Sequence, residues 1–271
     1  MTIDVGAYRD RGYLFPLEIL SAQEAGALRA ALEAFEAGQG GPLRPDQRNK
    51  MHLVFTWLAD LIRHPRIVEA LTPILGEDIL CWSSSFFIKE PHDPAFISWH
   101  QDATYWGLSE PDSITTVWVA LSPSTIASGC MKVVPESHKK AQVPHRETYG
   151  ENNLLSRGQE IAVEVNEADA VPVVLSPGQA SMHHVLIFHG SEPNRSDDRR
   201  IGIAIRYLPT RVRQLGQERD CATLVAGTDR FGNFDLEPRP DADASPAAWE
   251  AHRRALEQVN RIIYKGAAKA M

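Results

Sequence analysis

The sequence predicts a mainly β protein with flanking helices, built on a double-stranded β-helix core of the jelly-roll or cupin-like kind. Two observations carry that prediction. From Asp78 onward about eight short strand-like runs follow one another, separated by Pro, Gly, Asp and Ser turn signals. Helical periodicity is confined to the first third of the chain and its C-terminal end, so no crossover helices are available to build a parallel sheet.

The elements follow in order. Ser21 and Glu24 form a capping-box pattern, and Leu28, Leu32 and Phe35 then mark one face of a helix that stops in the GQGG glycines. Val54, Leu58 and Leu61 mark a second helical stretch up to His64-Pro65, and Ile67, Leu71 and Leu75 a third before Gly76. The strand runs are DILCWSSSFFIKE, AFISWHQDATYW, SITTVWVALS, CMKVVP, IAVEV, AVPVVL, ASMHHVLIFHG and RIGIAIRYL. Between Lys139 and Gly158 the chain is polar and aperiodic, which reads as a long surface insertion near the mouth of the barrel. A Pro- and Asp-rich linker after Glu237 leads to Ser245-Pro246, an N-cap followed by proline at N1. The helix beyond it places Trp249, His252, Leu256, Val259 and Ile263 on one face. With no repeat and no splitting linker, the chain reads as one domain: a helical N-terminal region over about 15–76, a jelly-roll core over about 78–210 and a C-terminal helix over about 245–264.

Composition narrows the function classes. A net charge of −7 without a basic cluster argues against a sequence-independent grip on nucleic acid or on an anionic membrane surface. Three cysteines with no CxxC spacing disfavour a disulfide framework and a thiolate zinc site. The N-terminus lacks a signal-peptide pattern, no apolar run reaches membrane-spanning length, and KGAAKAM matches no retention or peroxisomal signal. A cytoplasmic location is the expectation.

The chemistry concentrates in ISWHQDATYW. In a strand, His100 and Asp102 would share one face while Ile97 and Trp99 take the other. Burying an imidazole and a carboxylate together costs several kcal/mol unless a hydrogen-bonded pair or a metal ion compensates. A second segment, MHHVLIFHGSEPNRSDDRRIGIAIRY, ends an apolar strand in His189 and opens the next with an arginine. An antiparallel roll that carried His189 beside His100 would complete two imidazoles and one carboxylate, the facial triad of non-haem Fe(II) sites. His183 and His184 are its rivals within the same run.

Four stretches together, WHQD from Trp99, WVAL from Trp118, GCMKVVPESHK from Gly129 and HGSEPNRS from His189, with Arg200 eleven positions beyond that histidine, resemble the phytanoyl-CoA dioxygenase family of Fe(II)- and 2-oxoglutarate-dependent oxygenases. The likeness runs from RGYLF near the N-terminus to about Tyr207. It implies His100, Asp102 and His189 as the catalytic iron ligands and Arg200 as the partner of the far carboxylate of 2-oxoglutarate. Ser191 and Trp118 stand where the family places further cosubstrate contacts, although Trp118 is equally readable as a core aromatic. Strand parity supports Arg200 over Arg199: Arg200 shares its face with Gly202 and Ala204, whereas Arg199 shares its face with Ile201, Ile203 and Ile205. Arg206 lies on the Arg200 face and is the second choice for that role, or a substrate contact.

Halogenating relatives replace the carboxylate ligand by a small residue, so Asp102 favours hydroxylation. The expected reaction consumes O2 and 2-oxoglutarate, hydroxylates a small polar or charged metabolite (natural-product, ectoine-like or aminophosphonate-like) and releases succinate and CO2. Acyl-CoA is disfavoured because no basic cluster awaits its phosphates. The alternative is a non-catalytic jelly-roll protein that binds metal or ligand, against which the complete ligand set and the arginine both argue. Tyr105 and Trp106 are expected to face the substrate, Lys89 to reach the pocket or snorkel to solvent, and His138 to sit in a turn or behind the ligands. His52, His64, His92, His145 and His252 carry no pattern. Glu136, where the family commonly has glycine, either charges the mouth of the site or lies in a solvated turn.

Overall fold

Local signals fix the helices of the computed structural model, which describes residues 2–148, 150, 152–155 and 158–264. Asp4 caps α1 (Val5–Arg11), and the Ser21–Glu24 box is formed in both directions at the start of α2 (Ala22–Gln39), which ends on Gly40 in the left-handed region. After α3 (Thr56–Leu61), His64 and Pro65 open α4 (Pro65–Leu75). Ser245 caps α5 (Pro246–Ile263) by accepting a hydrogen bond from the Ala248 amide.

The described residues form, in chain order, the strands β1 (Tyr13–Glu18), β2 (Ile79–Lys89), β3 (Ile97–His100), β4 (Thr115–Ala120), β5 (Met131–Val133), β6 (His145–Glu147), β7 (Gln159–Ile161), β8 (Val171–Pro172), β9 (Gln179–His184), β10 (His189–Ser191), β11 (Arg200–Pro209), β12 (Cys221–Ala226) and β13 (Asp235–Leu236). They form a seven-stranded sheet of order β1-β9-β4-β11-β2-β12-β13, a four-stranded sheet of order β3-β10-β5-β8 and the two-stranded ribbon β6-β7. Helices α2, α3 and α4 pack on the outer face of the large sheet, where they join Ile201, Ile203, Ile205 and Tyr207 of β11 and Val117 and Val119 of β4. Fully burying such an aliphatic side chain is worth about 1.5–3 kcal/mol. The opposite face of those strands presents Thr116, Trp118, Arg200, Ala204 and Arg206 to the inside of the roll, so the parity reading of β11 holds.

Several expectations change. The region expected to be helical opens with β1, which pairs antiparallel with the distant β9, Leu17 lying opposite Ala180. The Lys139–Gly158 stretch is not structureless: a 3-10 turn spans Ser137–Lys140, and β6 pairs with β7, with His145 opposite Ile161. Short polar strands leave little hydrophobic alternation to read. The run ASMHHVLIFHG is two strands rather than one, β9 in the large sheet and β10 in the small one, joined by residues 185–188. All three cysteines are buried free thiols, and no described helix is long and apolar enough to cross a membrane.

Candidate active site

β3 and β10 lie side by side with His100 and His189 as register partners, so antiparallel pairing alone sets the two imidazoles together, ring centroids 4.0 Å apart. The expectation that Asp102 continues the strand is corrected. β3 ends at His100, and Asp102 begins a 3-10 turn over Asp102–Tyr105 that bends the carboxylate back toward the rings. Asp102 Oδ1 lies 3.6 Å from His100 Nε2 and 3.8 Å from His189 Nε2, and one ligand atom from each residue falls within 4.8 Å of the others.

Both rings are fixed from behind. His100 Nδ1 sits 3.0 Å from the Ser98 carbonyl and His189 Nδ1 3.1 Å from the Ile187 carbonyl. A carbonyl only accepts, so each Nδ1 carries the hydrogen and each Nε2 presents a lone pair to the shared space. Thr116 Oγ1 donates to Asp102 Oδ2 at 2.7 Å, which leaves Oδ1 facing the imidazoles. Burial and then the neighbouring His100 hold His189 well below the usual histidine range, in the neutral form that a metal ligand requires. Burial alone would raise the Asp102 carboxyl, but the imidazoles of His100 and His183, with His189 and Arg206 beyond, hold it well below the usual carboxylate range. Two imidazole nitrogens and one carboxylate oxygen converging in a buried space is a donor set suited to Fe(II).

The same small cavity, about 30 Å³, is walled by Trp118, Met131, Ser191 and Arg200. Arg200 is 1% exposed. Its Nη1 donates to the Gly129 carbonyl at 2.6 Å, while Nε and Nη2 are buried with no hydrogen-bond partner. Its guanidinium lies 5.4 Å from the Trp118 ring. Burial lowers it to about 10, so the group stays charged at neutral pH with no carboxylate beside it. Such a group costs several kcal/mol unless an anion completes it, and its two idle donors form the fork that a carboxylate fits. The geometry around it is tight. A Cβ on Gly202 would fall 1.8 Å from Trp118, and one on Gly129, at φ +69°, would fall 2.2 Å from the Glu192 carbonyl. Asn194 Nδ2 donates to the carbonyls of Lys89, Glu90 and Asp198, fastening the turn that delivers Arg200.

Lys89 does not snorkel. It is fully buried, and Nζ donates to Ser191 Oγ at 2.7 Å and to the Glu192 carbonyl. Burial and the nearby charge of Arg200 push it down to about 6. Thr116 escaped the sequence reading, although it shares a strand face with Trp118 two positions on. His183, read as a rival of His189 within one strand, instead reaches the site from β9, with Nε2 3.6 Å from Asp102 Oδ2 and neither ring nitrogen hydrogen-bonded. The rings of His138 and His184 lie 5.0 Å apart, tilted by 44°, outside the cavity lining, and His138 Nε2 donates to the Arg9 carbonyl at 3.0 Å. Glu136 adopts φ +65° in an exposed turn and pairs with Lys139 at 2.8 Å, so its charge is solvated in a turn and does not line the cavity.

The model of the phytanoyl-CoA dioxygenase family matches residues 8–202. The chain belongs to that family. It is therefore an oxygenase of the Fe(II)- and 2-oxoglutarate-dependent class. Over 222 residues it is 28% identical to a probable alpha-ketoglutarate-dependent hypophosphite dioxygenase of Stutzerimonas stutzeri, covering 74% of this chain and 76% of that protein. A probable phytanoyl-CoA dioxygenase of Caenorhabditis elegans is 26% identical over 156 residues, which span 55% of this chain but only 50% of the relative. Among solved structures, the apo non-heme monooxygenase ThoJ superposes with a TM-score of 0.86 at 36% identity, covering 96% of this chain and 97% of the other.

Proposed function

We propose that this family member hydroxylates a small charged metabolite, with His100 Nε2, Asp102 Oδ1 and His189 Nε2 holding Fe(II) and Arg200 holding 2-oxoglutarate. The observation that carries the reading is the buried, doubly unpartnered guanidinium of Arg200 in the same small cavity as three converging ligand atoms. Iron and 2-oxoglutarate, when bound, supply the oxidising equivalent from O2 and release succinate and CO2.

The chain's own residues do the rest. The Ser98 and Ile187 carbonyls lock the two imidazoles in one tautomer, and Thr116 fixes which carboxylate oxygen of Asp102 faces them. Nε and Nη2 of Arg200 would receive the far carboxylate, with Trp118 as a wall beneath the guanidinium and the hydroxyl of Ser191, backed by Lys89, beside it. Phe87, Ile97 and Met131 keep the space dry, which strengthens each of these charge contacts. A carboxylate at position 102 leaves no gap for halide among the protein ligands and favours hydroxylation. A binding protein without turnover would have no use for a buried arginine waiting for a dicarboxylate beside a metal triad.

Anaerobic addition of Fe(II) and then 2-oxoglutarate should produce a weak visible charge-transfer band, and admitting O2 should yield succinate slowly even without substrate. Absence of both would overturn the reading in favour of a non-catalytic binding protein.

A further inference from the structure

A second, much larger cavity of about 530 Å³ adjoins the metal site, and Asp102 and Arg206 line both spaces. Arg206 is 7% exposed. Its Nη1 donates to Ser85 Oγ at 2.5 Å and, at 3.4 Å, to the Ala204 carbonyl. Nε is buried without a partner, and Nη2 donates to no described group. The rings of Phe87 and Trp106 lie 5.8 and 5.9 Å from the guanidinium carbon and hold the plane in place. Asp102 is the nearest anion but forms no ion pair with it, and that carboxylate is already committed to Thr116 and the imidazoles. Arg206 therefore presents to the large cavity a buried charge that Asp102 offsets only through space, with no carboxylate bonded to it.

The remaining lining agrees in sign and polarity. Lys50 is neutralised by Glu237 at 2.6 Å, whereas Arg48, half-buried, makes no described ion pair or side-chain hydrogen bond. Asp102 is the sole carboxylate among the described lining residues. Other parts of the lining are apolar: Trp82 packs on Trp106 at 4.7 Å, and α5 contributes Leu256, Val259 and Ile263 beside Asn260. The volume falls in the range of pockets that enclose molecules of tens of heavy atoms and far exceeds what a single-centre oxyanion needs.

We propose that the substrate is a carboxylate with an apolar or aromatic body: its carboxylate sits on Arg206 beside the metal site, and its body lies against Trp82, Trp106 and α5. This rests on the oxygenase reading for what happens to the molecule, but not for how it binds. A planar carboxylate offers two acceptors to the two idle nitrogens, which an amide or an amine does not.

The test uses ω-phenylalkanoic acids with two to six methylenes, each beside its primary amide and its amine. Titrations are followed by calorimetry on the metal-free full-length protein at fixed saturating 2-oxoglutarate, so that Arg200 is occupied. At least one acid should bind tenfold or more tightly than its amide and amine, and Arg206→Gln should reduce that preference to under threefold. Leu256→Trp, which fills the apolar end, should weaken acid and amide alike by tenfold or more and serves if the Arg206 variant does not fold. The proposal is overturned by no acid preference anywhere in the series (no binding included), by a preference that persists in Arg206→Gln, by unchanged binding in Leu256→Trp, or by competition between acid and 2-oxoglutarate. Iron plays no part in this readout, so failure of the charge-transfer band would strike the oxygenase reading and leave this one standing.

Discussion

Arg200 and Lys89 are two cations buried in one small region with no carboxylate between them, and they answer that predicament differently. Arginine keeps its proton, while lysine, pushed by burial and by Arg200 to about 6, is mostly neutral at pH 8. A dicarboxylate seated on Arg200 would favour the charged lysine, so binding of 2-oxoglutarate at pH 8 should be accompanied by proton uptake. Calorimetry in buffers of different ionisation enthalpy measures this uptake, which Lys89→Met should abolish. Replacing Arg200 by Gln should raise the KM for 2-oxoglutarate by about a hundredfold, the scale of a lost buried charge-assisted pair, which initial rates would reveal. Thr116→Val keeps the shape and removes the hydroxyl that fixes Asp102, and Fe(II) affinity should fall about 10- to 100-fold in a metal titration. At this scale the candidate residues His100, Asp102, His189 and Arg200 were legible because they stand in short recognisable strings. Thr116 was not, because its role depends on a contact with Asp102 made across two elements.

Elements place these groups through register. Antiparallel pairing sets His189 opposite His100, and the alternation of β11 sends three isoleucines outward while Arg200 and Arg206 point inward. Close approach of β11 to β4 depends on Gly202, whose missing Cβ makes room for the Trp118 ring. Gly202→Ala should therefore destabilise the protein by about 1–3 kcal/mol through overpacking and raise the KM for 2-oxoglutarate as Trp118 and Arg200 shift. Urea unfolding and steady-state kinetics on one preparation would test both halves of that expectation. The strands with strong apolar alternation and the helices α2, α4 and α5 could be read from the chain, whereas the short α1 capped by Asp4 was not. The β6–β7 ribbon could not, since a three-residue strand such as HRE has no apolar face, and β1 could not, since its partner is fixed by a pairing across most of the sequence.

Across the whole molecule, a buried polar cluster ties the early chain to its late segment. Lys50 Nζ donates to Glu237 Oε1 at 2.6 Å and to the carbonyl of Trp82 at 2.6 Å, and His52 Nε2 lies 3.3 Å from Glu237 Oε2. Burial works against the Glu237 carboxylate, yet Lys50 and His52 outweigh it and hold the group well below the usual range. The stability this carboxylate contributes is thus complete above the ordinary glutamate range and drains away as pH falls through and below that range. Glu237→Gln, which leaves Lys50 buried and unpaired, should cost about 3–5 kcal/mol in urea unfolding at neutral pH and flatten the acid limb of the stability profile. No local pattern around Lys50 or Glu237 announces this pairing. It exists because the roll brings the loop before α3 onto the segment after β13.

An anaerobic crystal structure with Fe(II) and 2-oxoglutarate tests the central claim most directly. The account predicts one ion bonded to His100 Nε2, Asp102 Oδ1 and His189 Nε2, with the far carboxylate of the keto acid on Nε and Nη2 of Arg200. Iron bound elsewhere, or a keto acid that leaves Arg200 unpaired, would contradict it.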